Sequence, residues 1–303
     1  FGDAVVEGQR KFMGTLWNTY AFYVLYANID GFDPTKYTLD KSTLSVMDKW
    51  ILSKLNTAVK TVDEYLGVYK ITEASRVLDD FVDELSNWYV RRCRERFWVK
   101  DMPTDKVNAY MTLYTALVTV AKLAAPMIPF MTEEIYRNLV CSVDKTAPIS
   151  VHLCTYPTAD ESLIDPSLEK NMKEVVDVVV LGRACRNAAA IKNRQPVAKM
   201  YVKADATPDA EFISVIAEEL NVKEVIFTDN VREFTTYSFK PQLRTVGPKY
   251  GKFLGGIRSY LPTLDGNAAM DELNANGFIA FEVNGERIEL NRDDLLIEMT
   301  KKE

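Results

Sequence analysis

A chain of 303 residues, 47% hydrophobic and 26% charged, has the makeup of a folded soluble protein with a real core, which excludes a disordered chain, and its length predicts two domains. No apolar run approaches the ~18 residues of a membrane span, and Phe1-Gly2-Asp3-Ala4 has neither the basic nor the apolar region of a signal peptide. The net charge of −6 argues against a nucleic-acid partner if taken alone, but steering depends on where the charges sit.

The first half predicts helices. Residues 4–27 place Phe12, Leu16, Tyr20, Tyr23 and Ala27 at spacings of three or four, before a turn-rich break at Asn28, Asp30, Gly31 and Asp33-Pro34. Ser45-Val-Met-Asp48 is a capping-box pattern opening a second helix, whose apolar row runs Met47, Ile51, Leu55, Val59, Val62 and Leu66 and stops at Gly67. A third is expected from about Thr72 to Val99, with Ala74, Leu78, Phe81, Leu85 and Trp88 on one face. Thr104-Asp105 starts a fourth, stopped by Pro126 and Pro129, and a short fifth follows around Glu133–Val140. Five helices with short breaks predict a bundle.

The second half changes character. Val151–Tyr156 reads as a strand, and 166–192 as one long helix. Ala198, Met200, Val202 and Ala204 then alternate with Lys199, Tyr201 and Lys203 as in a strand. Pro208 opens a helix through Phe212, Val215, Ile216 and Leu220, Val222–Thr228 reads as a strand, and Tyr250–Leu261 as a helix in which Gly255-Gly256 marks close packing or a kink. Phe278–Val283 and Glu286–Leu290 around Asn284-Gly285 form a strong hairpin signal, because a type I′ turn needs positive φ at both central residues. The expected architecture is a helical bundle at 1–148, then an α+β domain with a mainly antiparallel sheet at 149–303.

Catalytic chemistry is sparse. The one histidine, His152, reads as a structural residue, since a lone His without a motif is weak evidence for catalysis or metal binding. The phosphate-loop, dinucleotide-fold and serine-nucleophile motifs are absent. Cys93, Cys141, Cys154 and Cys185 are too far apart for a zinc half-site and read as reduced thiols of a cytoplasmic protein, so no metal is expected.

Two basic windows remain. Arg91, Arg92, Arg94, Arg96 and Lys100 share ten residues with only Glu95 opposed, and Trp88, Arg92, Arg96 and Lys100 fall in one row at spacings of four. Guanidinium groups pair with phosphates and stack on unpaired bases, and Trp rings act as stacking platforms. The bland alternative is a solvated face: Asp79, Asp80, Asp83 and Glu84 precede the arginines in the order that complements the helix dipole. In the second window Arg183, Arg186, Lys192, Arg194, Lys199 and Lys203 follow one another with no acid between them, more cations than capping requires.

Asn87-Trp88-Tyr89-Val90-Arg91-Arg92 with Arg96-Phe97-Trp98 resembles the signature of the helical anticodon-binding domain of class I aminoacyl-tRNA synthetases for isoleucine, valine and leucine. Ala125-Pro126-Met127-Ile128-Pro129-Phe130-Met131-Thr132-Glu133-Glu134-Ile135-Tyr136 is similar to that family's next landmark. Leu16-Trp17-Asn18-Thr19-Tyr20-Ala21-Phe22-Tyr23 with Tyr26-Ala27-Asn28-Ile29-Asp30 points to the isoleucine branch. Lys192-Asn193-Arg194-Gln195-Pro196 and Gly247-Pro248-Lys249-Tyr250-Gly251-Lys252 resemble the C-terminal region of its eukaryote-like members. The resemblance covers nearly the whole chain. It implies binding of the isoleucine tRNA anticodon stem and loop through Trp88, Arg91, Arg92, Arg94, Arg96 and Lys100, with backbone contacts from Arg183, Arg186, Lys192 and Arg194. It further implies that ATP and Mg serve catalytic and editing domains of the same polypeptide that lie outside this chain, which itself takes no cofactor and is inactive alone. The lack of an initiator Met agrees with a piece of a longer protein. Rival readings are the same region of a valine or leucine enzyme, a protein-interaction module with an acidic partner and, weakest, an enzyme in its own right.

Overall fold

In the computed structural model the described residues are 3–301 apart from 205 and 231, with side chains described from 10 to 300; Phe1 and Gly2, read above for a signal sequence, lie outside them. The chain divides into two compact units, Phe1–Glu174 and Val175–Glu303.

The first unit is helical. Helices α1 (Asp3–Asp30) and α2 (Val46–Gly67) are followed by α3 (Ile71–Glu84), which passes through a π turn at Leu85–Val90 into α4 (Arg91–Trp98). Helices α5 (Thr104–Ala124) and α6 (Pro129–Tyr136) complete the bundle. The capping box is present: Ser45 Oγ accepts from Asp48 N at 3.2 Å while Ser45 N donates to Asp48 Oδ2 at 3.1 Å. Val59, Val62, Ala74, Leu78, Leu123 and Ala124 form one apolar cluster, the meeting of the α2, α3 and α5 stripes. Aromatic rings tie α1, α4 and α5 together: Phe97 lies edge-on to Tyr110 at 4.8 Å and to Phe22 at 5.1 Å, and Phe32 stacks on Tyr110 at 4.4 Å.

The dividing point falls beyond the expected 148/149. The segment after the bundle is tied to the helices by side chains: Glu133 Oε2 accepts from Ser150 Oγ and Val151 N, Asn56 Oδ1 from Asp160 N, and Glu169 Oε1 from Ser53 and Thr57 hydroxyls. These bonds also explain why Val151–Tyr156 is not the expected strand. Its amide finds a carboxylate instead of a ladder partner, and residues Val151–Leu153 form a 3-10 turn with His152 exposed.

The second unit mixes helices and strands. Helix α7 (Pro166–Ala188) ends four residues before the expected 192; beyond the first unit come β1 (Val197–Lys203), α8 (Ala210–Leu220), β2 (Val222–Thr228), β3 (Thr235–Pro241), α9 (Leu243–Tyr250), α10 (Leu254–Tyr260), α11 (Gly266–Asn276), β4 (Phe278–Val283), β5 (Glu286–Asn291) and β6 (Leu295–Lys301). The expected helix over Tyr250–Leu261 is broken by a 3-10 turn at Gly251–Phe253. Among the described residues the strands form three pairs: β3–β6 and β4–β5 are antiparallel, while β1–β2 is parallel, as joining two strands through a helix allows. The β4–β5 turn has φ of 53° at Asn284 and 81° at Gly285, the backbone its Asn-Gly predicts. Phe239, Val246, Ile257, Met270, Phe281 and Ile288 anchor the core around the two antiparallel pairs.

The expectation of close packing at Gly255-Gly256 holds at the second glycine, where a Cβ would meet the Val283 side chain. The tighter case is Gly266 at the start of α11, where a Cβ would meet the backbone carbonyl of Tyr237. Backbone cannot move aside as a side-chain tip can, so Gly266→Ala is expected to cost about 1–3 kcal/mol. Urea unfolding checks this; a loss below ~0.5 kcal/mol would show that the contact relaxes.

Candidate nucleic-acid interface

The first basic window sits where the long helix changes register. At the π turn the Arg91 amide bonds back to Ser86 O, five residues earlier, instead of four. The wider turn keeps every fourth residue on the core side from there on: Leu85, Tyr89, Cys93 and Phe97 are all buried. Trp88, expected on that apolar face, is half-buried beside it.

This register turns Arg96 inward, and here the expected phosphate contact is corrected. Arg96 Nη1 and Nη2 donate to Asp48 Oδ1 and Oδ2, both at 2.8 Å, and Nε donates to Asp105 Oδ2 at 2.8 Å. Tyr89 Oη adds a bond to Asp48 Oδ1 at 2.6 Å. Asp48 is 0% and Arg96 only 16% exposed, so the guanidinium is consumed in joining α4 to α2 and α5. Burial alone would raise the Asp48 carboxyl, but the hydrogen bonds and charge of Arg96, helped by the Tyr89 and Ser45 hydroxyls, hold it below the ordinary carboxylate range. Arg92, in the same row, is half-buried.

What faces solvent is a different stripe. Asn87, Arg91, Arg94 and Trp98 follow at spacings of four, three and four, and all are exposed, with Glu95 among them and Lys100 just beyond. Arg91 Nε donates to Asn87 O at 2.7 Å, and its guanidinium lies 5.7 Å from the centre of the Trp88 ring. The Trp98 ring stays 57% exposed while its indole N–H donates to Tyr26 Oη at 2.8 Å. The helix thus offers two guanidiniums, an amide and an indole on one side, a set that can pair with phosphates and stack with unpaired bases. Asn87 and Trp98, quoted above only as parts of the signature, were not among the expected site residues; their i, i+4, i+7, i+11 spacing with Arg91 and Arg94 was the available signal.

The second window also splits. Arg186 is 5% exposed, and its Nη2 donates to the carbonyls of Lys192 at 2.6 Å, Asn193 at 3.3 Å and Gln195. It is a brace for the loop between α7 and β1, not a surface cation, a second correction. Arg183 pairs with the nearly buried Glu219 at 2.6 Å. Lys192 and Arg194 are exposed on the braced loop. Replacing Arg186 with Met leaves those inward carbonyls without their donor, so trypsin is expected to cut after Lys192 and Arg194 at least several-fold faster than in the parent. An unchanged cleavage pattern would remove the bracing role.

The remaining motif residues mostly serve the fold. Lys249 Nζ donates to both Asp294 carboxylate oxygens at 2.8 Å, and Tyr136 Oη donates to Pro148 O at 3.0 Å. Among the described residues no group of three or more His, Cys, Asp and Glu side chains is placed to hold a metal ion, and no helix is long and apolar enough to cross a membrane.

Comparison with known proteins bears on the same residues. The family described as "Anticodon-binding domain of tRNA ligase" matches residues 48–202, about half of the chain. The chain is 49% identical over 297 residues to the isoleucine–tRNA ligase of Clostridium acetobutylicum, covering 98% of this chain and 28% of that one. It is 49% identical over 299 residues to the enzyme of Clostridium novyi (98% and 29%), and 39% identical over 300 residues to that of Porphyromonas gingivalis (97% and 26%). The chain therefore spans less than a third of the length of these relatives.

Proposed function

The chain belongs to the family of anticodon-binding domains of tRNA ligases, and from that premise we propose that it is the part of an isoleucine–tRNA ligase that holds the anticodon stem and loop of isoleucine tRNA. The observation that carries this reading is the exposed stripe of Asn87, Arg91, Arg94 and Trp98 on a helix whose opposite face is locked by Asp48 and Arg96. A locked helix presents its cations without paying for ordering them on binding. Lys100, half-buried Arg92 and Trp88 stand at its margins, and Lys192 and Arg194 supply further backbone contacts from the second unit, with Arg183 contributing only as far as Glu219 leaves it available. Arg96 and Arg186 act indirectly, as positioning residues.

The aminoacylation chemistry, with its ATP and Mg, and the editing of mischarged product belong in this reading to other domains of the same polypeptide in the cytoplasm. Identities of 39% to 49% to isoleucine–tRNA ligases over nearly the whole chain support the isoleucine enzyme as the parent. The test is a binding titration with isoleucine tRNA, an anticodon-swapped version and valine tRNA at two salt concentrations. Tighter, salt-dependent binding to the native isoleucine anticodon is expected. Equal binding to all three would overturn anticodon recognition and leave a general RNA surface, and no binding at low salt would overturn the RNA reading.

A further inference from the structure

The second unit carries an aromatic pair that the anticodon reading does not use. Tyr201 on β1 and Phe234 in the turn before β3 stack with ring centres 4.2 Å apart and planes 26° apart. Each remains 39% exposed, whereas the other stacked pairs involve a buried partner, Phe32 or Phe281. Strand alternation puts Lys199, Tyr201 and Lys203 on one face of β1 and Met200 and Val202 on the other. Across the parallel pair, Lys199 faces Glu224, Tyr201 faces Ile226 and Lys203 faces Thr228. The only acid in this facing set is Glu224, which pairs with Lys199 at 3.1 Å with both side chains about half exposed. Such a pair contributes little and yields easily to a phosphate. The loop leading into β1 adds exposed Lys192 and Arg194.

We infer that the Tyr201–Phe234 stack, flanked by Lys199 and Lys203, is a platform on which an unpaired base of the bound RNA stacks while its neighbouring phosphates meet the lysines. An exposed aromatic face between cations on an open sheet is the arrangement that holds single-stranded nucleic acid without reading its sequence. The partner is thus an unpaired stretch of RNA, and the inference rests on the reading that the chain holds tRNA. It adds to that reading a second contact of different chemistry, stacking in place of arginine pairing.

The experiment titrates the chain and its Tyr201→Leu, Phe234→Leu and Lys203→Glu variants with isoleucine tRNA and with an oligouridine of about 12 nucleotides, within the site sizes such surfaces cover. Leucine keeps an apolar side chain but has no ring. Each Leu variant is expected to bind both RNAs on the order of tenfold more weakly with an unchanged salt slope, while Lys203→Glu flattens the slope. Ultraviolet cross-linking of the oligouridine is expected to mark the peptides containing Tyr201 or Phe234. Thermal unfolding checks the variants, and Phe234→Leu, in a turn, carries the test if Tyr201→Leu does not fold. Parent and Leu variants binding both RNAs equally, with no cross-link at either ring, overturns the platform and leaves the anticodon reading intact. A parent that fails to bind tRNA overturns the anticodon reading, and the oligouridine series then decides the platform alone: loss of binding in the Leu variants supports it, and no binding by the parent overturns it.

Discussion

Replacing Arg96 with Met is expected to destabilise the helical unit by about 3–5 kcal/mol, because it leaves the Asp48 carboxylate buried without its cation. The same residue that looked like a phosphate ligand is worth more to the fold than any surface arginine. Removing both charges together, Asp48→Asn with Arg96→Met, is expected to recover much of the loss, since a neutral buried pair carries no stranded charge. The pH dependence has a definite sign. The folded Asp48 carboxyl lies below its ordinary value, so the stability it contributes is fully present above the unfolded value near ~3.9 and is lost as pH falls through the folded value. In the Arg96→Met variant burial is no longer opposed by the guanidinium and the carboxyl can be neutralised, so the gap between variant and parent should narrow as pH falls from 7 to 3. Urea unfolding at pH 7 and pH 3 measures both; equal gaps at the two pH values would contradict the assignment.

Charge reversal of the exposed stripe should do the opposite. Arg91→Glu and Arg94→Glu are expected to change stability by less than ~1 kcal/mol, because both side chains are exposed. Each is expected to weaken tRNA binding by at least about tenfold and to lower the salt slope by about 0.7–0.9 for every phosphate that the variant no longer neutralises. The pairing of results separates the roles: Arg96 moves the melting curve, Arg91 and Arg94 move the binding isotherm. Reversal of Arg91 and Arg94 together without effect on affinity or slope would remove the stripe from the interface.

Elements whose signals are local were legible in the sequence. The capping box at Ser45, the long α2 stripe and the Asn284-Gly285 hairpin each depend on a few neighbouring residues, and each is present. The basic windows could be located along the chain from the sequence alone. Their side-chain directions could not be, for two reasons. The row of Trp88, Arg92 and Arg96 was laid out for an ordinary helix, and a π turn leaves no mark in a pattern of spacings. The partner of Arg96 on α2 is 48 residues away, and the carbonyls that hold Arg186 belong to a loop that follows it, so nothing local tells a buried guanidinium from an exposed one. The strand expected at Val151 failed likewise: its alternation was real, but the partner that captured its amide was Glu133, a side chain on α6.

The π turn at Leu85–Val90 makes the long helix a rod with two phases. Residues before it obey the face that α2 and α5 demand, and residues after it obey the face set by the aromatic rings of α1 and α5. One surplus residue is the phase shifter that lets a single continuous helix satisfy both cores. Forcing the same residues into an ordinary helix would rotate everything downstream by about 100°, misplacing Arg96 relative to Asp48 and Arg91 and Arg94 relative to solvent, whereas deleting one residue at the turn would restore an ordinary helix and leave the downstream faces in place. The direction of the exposed stripe therefore depends on the widened turn that precedes it as well as on the spacing of the arginines.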